Sequence, residues 1–273
     1  SIVTPSYNQG QFIEETIRSV LLQGYPNLEY IIMDGGSTDN SVEIIKKYEP
    51  WLTYWVSEKD RGQSHAINKG FEKSTGEIMA WINSDDYYAF NIFYLVATQL
   101  SGKKNALFQG GTNIFEQNAP KVYRYIFGIP NREQLFFDGV TFLQSSVFWT
   151  RDLYIQIGNM DENLYYVMDY DLWLRMYPNV FSFISINIPC SFFRLHSSQK
   201  SQFPGNQKYT DELIIANLRA ANQQGYNSYL WFIKICFYRI KTAFTEKKIY
   251  KLKLSSFQVE MIKYLFFRYG KEK

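Results

Sequence analysis

The chain has 273 residues, 46% apolar and 18% aromatic, which is enough for one large α/β domain with an extension or for two small domains. That apolar content excludes a disordered chain, and a net charge of +3 is too small to imply nucleic-acid binding by itself. The only two cysteines, Cys190 and Cys236, lack CxxC spacing, which argues against a disulfide framework and for a reducing cytosol. In chain order, Ser1 to Thr4 reads as a strand ended by Pro5, so the chain opens inside a strand and residues are expected upstream. Ile13, Ile17, Val20 and Leu21 recur at helical spacing and stop at Gly24. Tyr30 to Met33 is a second strand, closed by Asp34-Gly35-Gly36. Ser37, Thr38 or Asp39 can cap the next helix, expected to bury Val42, Ile45 and Tyr48. Thr53 to Val56 is a short third strand, and Ala66, Ile67, Gly70 and Phe71 mark another helical face. Ile78 to Ile82 is apolar on both faces and so predicts a central strand. The alternation predicts a parallel sheet with helices on both sides.

After about Gly110 the rhythm breaks into aromatic stretches. A strand is expected over 140–150, a short helix over 151–158, a helix over 169–177 ended by Pro178, a strand over 181–188, and a polar loop over 197–207. Helical patterning resumes over about 209–224. Residues 234–273 carry 11 basic and 3 acidic side chains, leaving a mildly acidic body and a strongly basic tail. Residues 226–273 mix that charge with aromatic bulk, the pattern of amphipathic helices on an anionic membrane surface. The alternative is packing on the domain or in a homodimer, with snorkelling lysines. No apolar run reaches the roughly 18 residues of a transmembrane helix.

Two acidic clusters stand out, Asn83-Ser84-Asp85-Asp86 after the apolar run 78–82, and Asp169-Tyr170-Asp171 far downstream. Carboxylates ending a buried strand are unfavourable unless paired or holding a cation. Asp85 and Asp86 suit Mg²⁺ or Mn²⁺, with an N-cap as the plainer alternative. In open α/β sheets ligands bind at the carboxyl ends of strands, where Thr4-Pro5-Ser6-Tyr7, Asp34 and Asp85-Asp86 all fall. A nucleotide across that edge would meet all three, although Asp34-Gly35-Gly36 also reads as an ordinary turn. Glu58 to Gln63 alone reads as a solvated charged turn. Asp169 would open a helix whose dipole favours its ionised form, which suits a general base; simple N-capping is the alternative. Asp171, four residues before Arg175, reads as an i,i+4 ion pair. His65 at a helix start has a surface or capping role as an alternative to substrate contact.

Taken in order, Ser1-Ile2-Val3-Thr4-Pro5-Ser6-Tyr7-Asn8, Asp34-Gly35-Gly36-Ser37-Thr38-Asp39, Gly62-Gln63-Ser64-His65-Ala66-Ile67-Asn68-Lys69-Gly70, Gly76-Glu77 and Asn83-Ser84-Asp85-Asp86 resemble the family 2 glycosyltransferases of GT-A fold. The resemblance covers about residues 1–205. It implies a Rossmann-like, mostly parallel sheet flanked by helices over 1–225, with a nucleotide-binding half to about residue 110, an acceptor half over 111–225, and a helical extension over 226–273. It further implies a nucleoside-diphosphate-sugar donor, UDP being favoured over GDP or dTDP, a glycan or lipid-linked acceptor, and Mn²⁺ or Mg²⁺ held by a DxD-type motif. Asp34 would contact the nucleobase, Asp60 the nucleotide, and Ser84 and Asp85 the donor. Asn83 departs from the motif's first Asp, so the metal duty falls on Asp85 or Asp86. The stretch from Gln144 to Arg175 also resembles this family, Asp169 matching the catalytic base and Met168 replacing its usual Glu neighbour. Arg194-Leu195-His196 is similar to the family's Arg-x-His loop, which closes over the diphosphate, with His196 a further metal ligand or merely solvated. Arg194, Lys200, Gln63 and His65 are the candidate diphosphate or acceptor contacts. The implied reaction is inverting transfer in surface-polysaccharide assembly, at the inner face of the membrane. A nucleotidyltransferase is the rival, for which no Gly-rich triphosphate loop is found. An inert sugar-nucleotide binder is the other, if Asn83 and Met168 mark decay.

Overall fold

The computed structural model describes residues 1–117, 119–128, 135, 142–200 and 207–225. The expected extension over 226–273, Cys236 and most of 129–141 lie outside the described residues. A single nine-stranded sheet runs in the order β3-β2-β1-β4-β8-β6-β9-β5, with β7 paired to β6. The first four strands in that order are β3 (Tyr54–Ser57), β2 (Tyr30–Asp34), β1 (Ile2–Ser6) and β4 (Ile78–Trp81). They are mutually parallel, as the alternation with helices requires. Helices α1 (Ile13–Leu21), α2 (Ser41–Tyr48) and α3 (Gln63–Lys73) connect them. In α2 it is Ile44 and Ile45 that are buried, while Val42 and Tyr48 stay partly exposed. The N-cap of that helix is Asn40, without a side-chain cap bond, and not Ser37, Thr38 or Asp39; Asp39 Oδ1 accepts the Ser41 N–H at 3.0 Å from just outside the helix.

Pro5 lies inside β1 rather than ending it. The backbone N–H and C=O of Ile2 and Ser6 face β2, so the nitrogen of Pro5 faces the β4 side. There β4 pairs only as far as Val3, and no ladder donor is lost.

The second half is more irregular. Helix α4 (Ile92–Leu100) leads into β6 (Ala106–Glu116), which pairs with β7 (Ala119–Ile126), β8 (Val147–Thr150) and β9 (Ser182–Leu195). Of the expected strand over 140–150, residues 140 and 141 lie outside the described residues, 144–146 form a 3-10 turn and 147–150 pair. Helices α5 (Arg151–Ile157), α6 (Met168–Met176) and α7 (Gln207–Gln223) complete the described structure. Strand β6 is not legible from periodicity because Gln109, Gly110, Gly111 and Thr112 sit in its middle, all buried. The polar side chains are satisfied internally, Gln109 by Ser185 at 3.0 Å and Thr112 by Ser191 at 2.9 Å. A Cβ on Gly110 would lie 2.0 Å from Cys190 Sγ, so the strand approaches β9 too closely for any side chain there. Strand β9 runs on through Pro189, at which the β6 register shifts, and so outlasts the expected end at Ile188.

The core joins both halves. Trp81 at the end of β4 stacks on Trp173 of α6 with centroids 5.8 Å apart and planes at 10°. Trp149 of β8 meets both edge-on at 5.5 and 5.7 Å. All three rings are buried, and none of the three indole N–H groups has a hydrogen-bond partner among the described residues. No helix among those residues is long and apolar enough to cross a membrane.

Candidate active site

The acidic loop between β4 and β5 (Tyr87–Tyr88) is fixed from three sides. The Ile82 N–H bonds Val3 O at 2.9 Å, extending the β4–β1 ladder to the loop's edge. The Thr16 hydroxyl on α1 sits 3.0 and 2.6 Å from the carbonyls of Ser84 and Asp86. Strand β5 pairs antiparallel with β9, Tyr87 opposite Phe192, and this carries the end of β9 to the loop. The far-separated segments 83–86 and 194–200 therefore share one edge of the sheet.

The two adjacent acids have different environments. Asp86 is 1% exposed and accepts the Arg194 N–H at 3.0 Å. Burial, reinforced by the Asp85 charge, pushes its carboxyl well above the usual range, opposed by the bond from Arg194 and one from the Asn83 side chain. Asp86 therefore holds β9 in place and does not face a ligand as the expected alternative metal acid. Asp85 keeps 22% of its side chain exposed, and its Oδ2 is 3.0 Å from His196 Nε2. The other ring nitrogen of His196 lies 2.9 Å from Ser198 Oγ, and Phe12 packs on the ring at 4.6 Å. His196 is thus held in place and not solvated.

Among the described residues no group of three His, Cys, Asp or Glu side chains gathers around one point. The Asp85–His196 pair nevertheless fits a divalent cation in part. Adjacent ligands on an octahedral ion with bonds of about 2.1 Å are about 3 Å apart, which the observed pair matches. A carboxylate with an imidazole suits Mn²⁺ better than Mg²⁺.

At the nucleotide edge several expected contacts are occupied. Thr4 is fully buried, and its hydroxyl meets Tyr30 Oη at 3.1 Å, inside the core and not at the strand end. Pro5 is buried with it, and Ser6 is 4% exposed with a hydroxyl that has no partner among the described residues. Tyr7, 60% exposed, is the residue of this stretch open to a ligand. Asp34 is 2% exposed; its Oδ2 accepts from Gly36 N, Ser37 N and Ser57 Oγ at 3.1, 2.9 and 2.6 Å, and its Oδ1 from Ser37 Oγ at 2.6 Å. The turn reading describes that carboxylate, leaving only Oδ1 with spare acceptor capacity. Asp60 Oδ1 accepts the Gly62 N–H at 2.7 Å, and its Oδ2 lies 2.7 Å from where a Cβ on Gly35 would stand. Asp34, Gly35 and Asp60 therefore form one wall, and a side chain at position 35 would require the Asp60 carboxylate to shift.

Asp169 occupies the first turn of α6, where its Oδ1 accepts the Tyr170 N–H at 2.8 Å. The expected dipole effect is outweighed. Burial is the larger influence and pushes the carboxyl up, while Tyr170 and the Lys200 charge pull it down. Burial lowers the Lys200 ammonium to about 8, with Asp169 and Glu212 opposing. Lys200 Nζ donates to Gln63 Oε1 at 2.8 Å, and Gln63 Nε2 donates to Asn83 Oδ1 at 2.7 Å. Asp169 and the acidic loop thus flank the same short polar chain.

Other candidates lie apart from this cluster. Arg194 is 8% exposed; its Nε donates to Asp85 O at 3.0 Å, it pairs with Glu15, and it stacks near Phe12 and Phe115. It braces the loop and is not a free cation for phosphate. His65 is half-buried in the first turn of α3 and accepts the Arg61 N–H at 3.2 Å, while the N-cap, Gly62, has no side-chain cap bond. Asp171 pairs with Arg175 at 2.8 Å as expected, and also with Arg219 at 3.3 Å. Met168 is buried, and its sulfur accepts from Ser64 Oγ at 2.9 Å, so the residue in the Glu position joins α6 to α3. Sequence reading missed Glu212, whose buried carboxylate accepts the N–H groups of Tyr165, Tyr166 and Val167 at 3.0, 2.6 and 3.3 Å. It fixes the approach to Asp169 from α7, and nothing in its local pattern signals that.

The mixed, mostly parallel α/β sheet with flanking helices is a GT-A fold. The description "Glycosyl transferase family 2" matches residues 1–156, and the chain belongs to that family as a glycosyltransferase. An uncharacterised glycosyltransferase of Rickettsia prowazekii is 28% identical over 280 residues, covering 91% of this chain and 85% of the relative. One from Rickettsia typhi is 31% identical over 64% of this chain, which spans only 57% of that relative. TuaG of Bacillus subtilis, a putative teichuronic acid biosynthesis glycosyltransferase, is 39% identical over 32% of this chain and 35% of its own. S. aureus TarS 1–349 in complex with UDP-GlcNAc superposes with TM-score 0.63 at 16% identity, over 80% of this chain and 66% of that one. The Pyrobaculum calidifontis mannosyltransferase PcManGT, with GDP-Man and Mn²⁺, gives 0.56 at 18%, over 81% and 63%. At those identities the superpositions establish the fold.

Proposed function

We propose that the protein transfers a sugar, with inversion, from a nucleoside-diphosphate sugar to a hydroxyl of a glycan or lipid-linked acceptor. UDP is the nucleotide we favour, since the 16%-identical TarS fold is one solved with UDP-GlcNAc. The observation that carries the reading is the pairing of Asp85 with His196 at 3.0 Å on one side of Lys200 and Gln63, with Asp169 on the other. Asp85 and His196 would hold Mn²⁺ or Mg²⁺, which when bound neutralises charge on a departing diphosphate. Tyr7 offers its exposed ring to the base, and Asp34, Gly35 and Asp60 wall the nucleoside. Asp169 accepts the proton of the acceptor hydroxyl as its oxygen bonds the anomeric carbon. The anomeric C–O bond to phosphate breaks, and its electron pair leaves with the nucleoside diphosphate. A base with a raised pKa removes that proton more effectively than an ordinary carboxylate.

Surface-polysaccharide assembly at the inner face of the membrane completes the proposal, supported by the likeness to TuaG and by the basic, aromatic composition of 226–273. Incubation with candidate sugar nucleotides and Mn²⁺ tests the reaction. Free nucleoside diphosphate is expected. Pyrophosphate would indicate a nucleotidyltransferase, and no turnover with any donor would indicate an inert binder.

A further inference from the structure

We infer that Thr16 is a positioning residue for Asp85: its hydroxyl anchors the backbone of the acidic loop so that the Asp85 carboxylate stands at His196. The inference deepens the proposed function and rests on Asp85 being its cation-binding acid. Thr16 belongs to a polar stripe beside the buried Ile13, Ile17 and Val20 of α1. Thr16, Ser19 and Gln23 follow at i, i+3 and i+7, one helical face, with Gln23 just past the helix end. Each holds a successive part of segment 84–92. The Thr16 hydroxyl lies 3.0 and 2.6 Å from the carbonyl oxygens of Ser84 and Asp86; both only accept, so its one proton serves the two. Ser19 Oγ accepts the Tyr88 N–H at 3.1 Å. Gln23 donates to the Ala89 carbonyl and accepts the Ile92 N–H, each at 2.8 Å. The carbonyl between the two that Thr16 holds, that of Asp85, accepts Arg194 Nε at 3.0 Å, and Arg194 pairs with Glu15, the neighbour of Thr16. Three consecutive loop carbonyls are therefore tied to residues 15 and 16 of one helix.

Such anchoring is directional. Apolar packing of α1 on the loop would bury similar surface without orienting any peptide plane, whereas a hydrogen bond at these distances fixes the carbonyl it meets. An aspartate carboxylate is two rotatable bonds from its backbone, so the planes of 84–86 govern where it points. Asp86 turns in to accept the Arg194 N–H at 3.0 Å, and Asp85 Oδ2 stands 3.0 Å from His196 Nε2. The Thr16 hydroxyl bonds main-chain carbonyls, so its influence reaches Asp85 through the backbone.

Thr16→Val keeps the shape of the side chain and removes the hydroxyl; Thr16→Ser keeps the hydroxyl and removes a methyl group. Three measurements on the full chain separate them: calorimetric titration with MnCl₂ alone, hydrogen exchange of a peptide spanning 82–88 without metal, and thermal melting. Thr16→Val is expected to bind Mn²⁺ about tenfold more weakly and to exchange faster over 82–88. Thr16→Ser is expected to melt lower, having lost a buried methyl, yet to bind Mn²⁺ and exchange like the parent. Parental Mn²⁺ affinity in Thr16→Val would reduce Thr16 to a packing residue and overturn the inference, and so would a Thr16→Ser variant that binds as weakly as Thr16→Val. Should Thr16→Val fail to fold, Thr16→Ala set against Thr16→Ser gives the same comparison, since the two differ by the hydroxyl oxygen alone. Asp85→Ala tells the two levels apart. If it binds Mn²⁺ as the parent does, the metal assignment fails, and exchange over 82–88 then decides the anchor: faster exchange in Thr16→Val upholds it, and unchanged exchange overturns it.

Discussion

The nucleotide edge and the seam between the two halves use the same residue types in opposite ways. At the edge, Asp34 and Thr4 are buried and engaged within their own half, by turn N–H groups and by Tyr30. At the seam, Asp85 meets His196 and Gln63 meets Lys200 across 111 and 137 residues, and Asp169 lies within the field of Lys200. A polar group at a strand end is therefore a poor guide to chemistry until its partners are counted. Saturated carboxylates build the wall, and those at the seam keep spare acceptor capacity, as the proposed roles require.

Substitutions should separate these two regions by size of effect. Asp169→Asn is expected to lower kcat by about 10²–10⁴-fold while nucleotide affinity is kept; loss of nucleotide binding in calorimetry would make Asp169 part of the scaffold. Asp85→Ala should weaken Mn²⁺-dependent nucleotide binding by about 10²-fold, and an unchanged isotherm would remove Asp85 from the seam. Glu212→Gln leaves one oxygen to serve three N–H groups and should cost about 1–3 kcal/mol, read as a lower thermal midpoint; an unshifted midpoint would mean those N–H groups find other partners.

A smaller effect should appear in the pH profile. Only ionised Asp169 accepts a proton, so kcat rises with pH through a carboxyl that burial holds above its ordinary range. Lys200→Met removes the charge that pulls this carboxyl down and should move the acid limb to higher pH; a limb moving to lower pH, or not at all, would disconnect Lys200 from the base. The smallest change is expected at the wall. Thr4→Val should leave donor affinity unaltered and lower stability by about 1 kcal/mol, whereas weakened donor binding would return Thr4 to the nucleotide.

The parallel half was legible because its strands are short apolar runs between glycine-rich turns, and its helices keep a clean period. Strand β6 was not, because its polar centre is satisfied by β9 residues that no local window contains. The acidic loop and Asp169 were visible as clusters, but their division of roles was not. Asp85 and Asp86 differ only in which way each side chain turns, and β5, just two residues long, decides that by pairing with β9. Arg194 looked like a phosphate cation because a loop arginine is usually free. Its aromatic surroundings, Phe12, Tyr87 and Phe115, come from three separate stretches.

The stacked indoles of Trp81 and Trp173 bear on how rigidly the two halves are joined. Trp81 is four residues before Asp85, and Trp173 is one helical turn after Asp169, so both carboxylates are rooted on a single closely packed pair. Interiors of that density resist compression and expansion alike. The spacing of the proposed base and the proposed cation ligand is therefore set by packed rings, while Tyr7 and Tyr165 keep 60% and 49% of their surface in solvent.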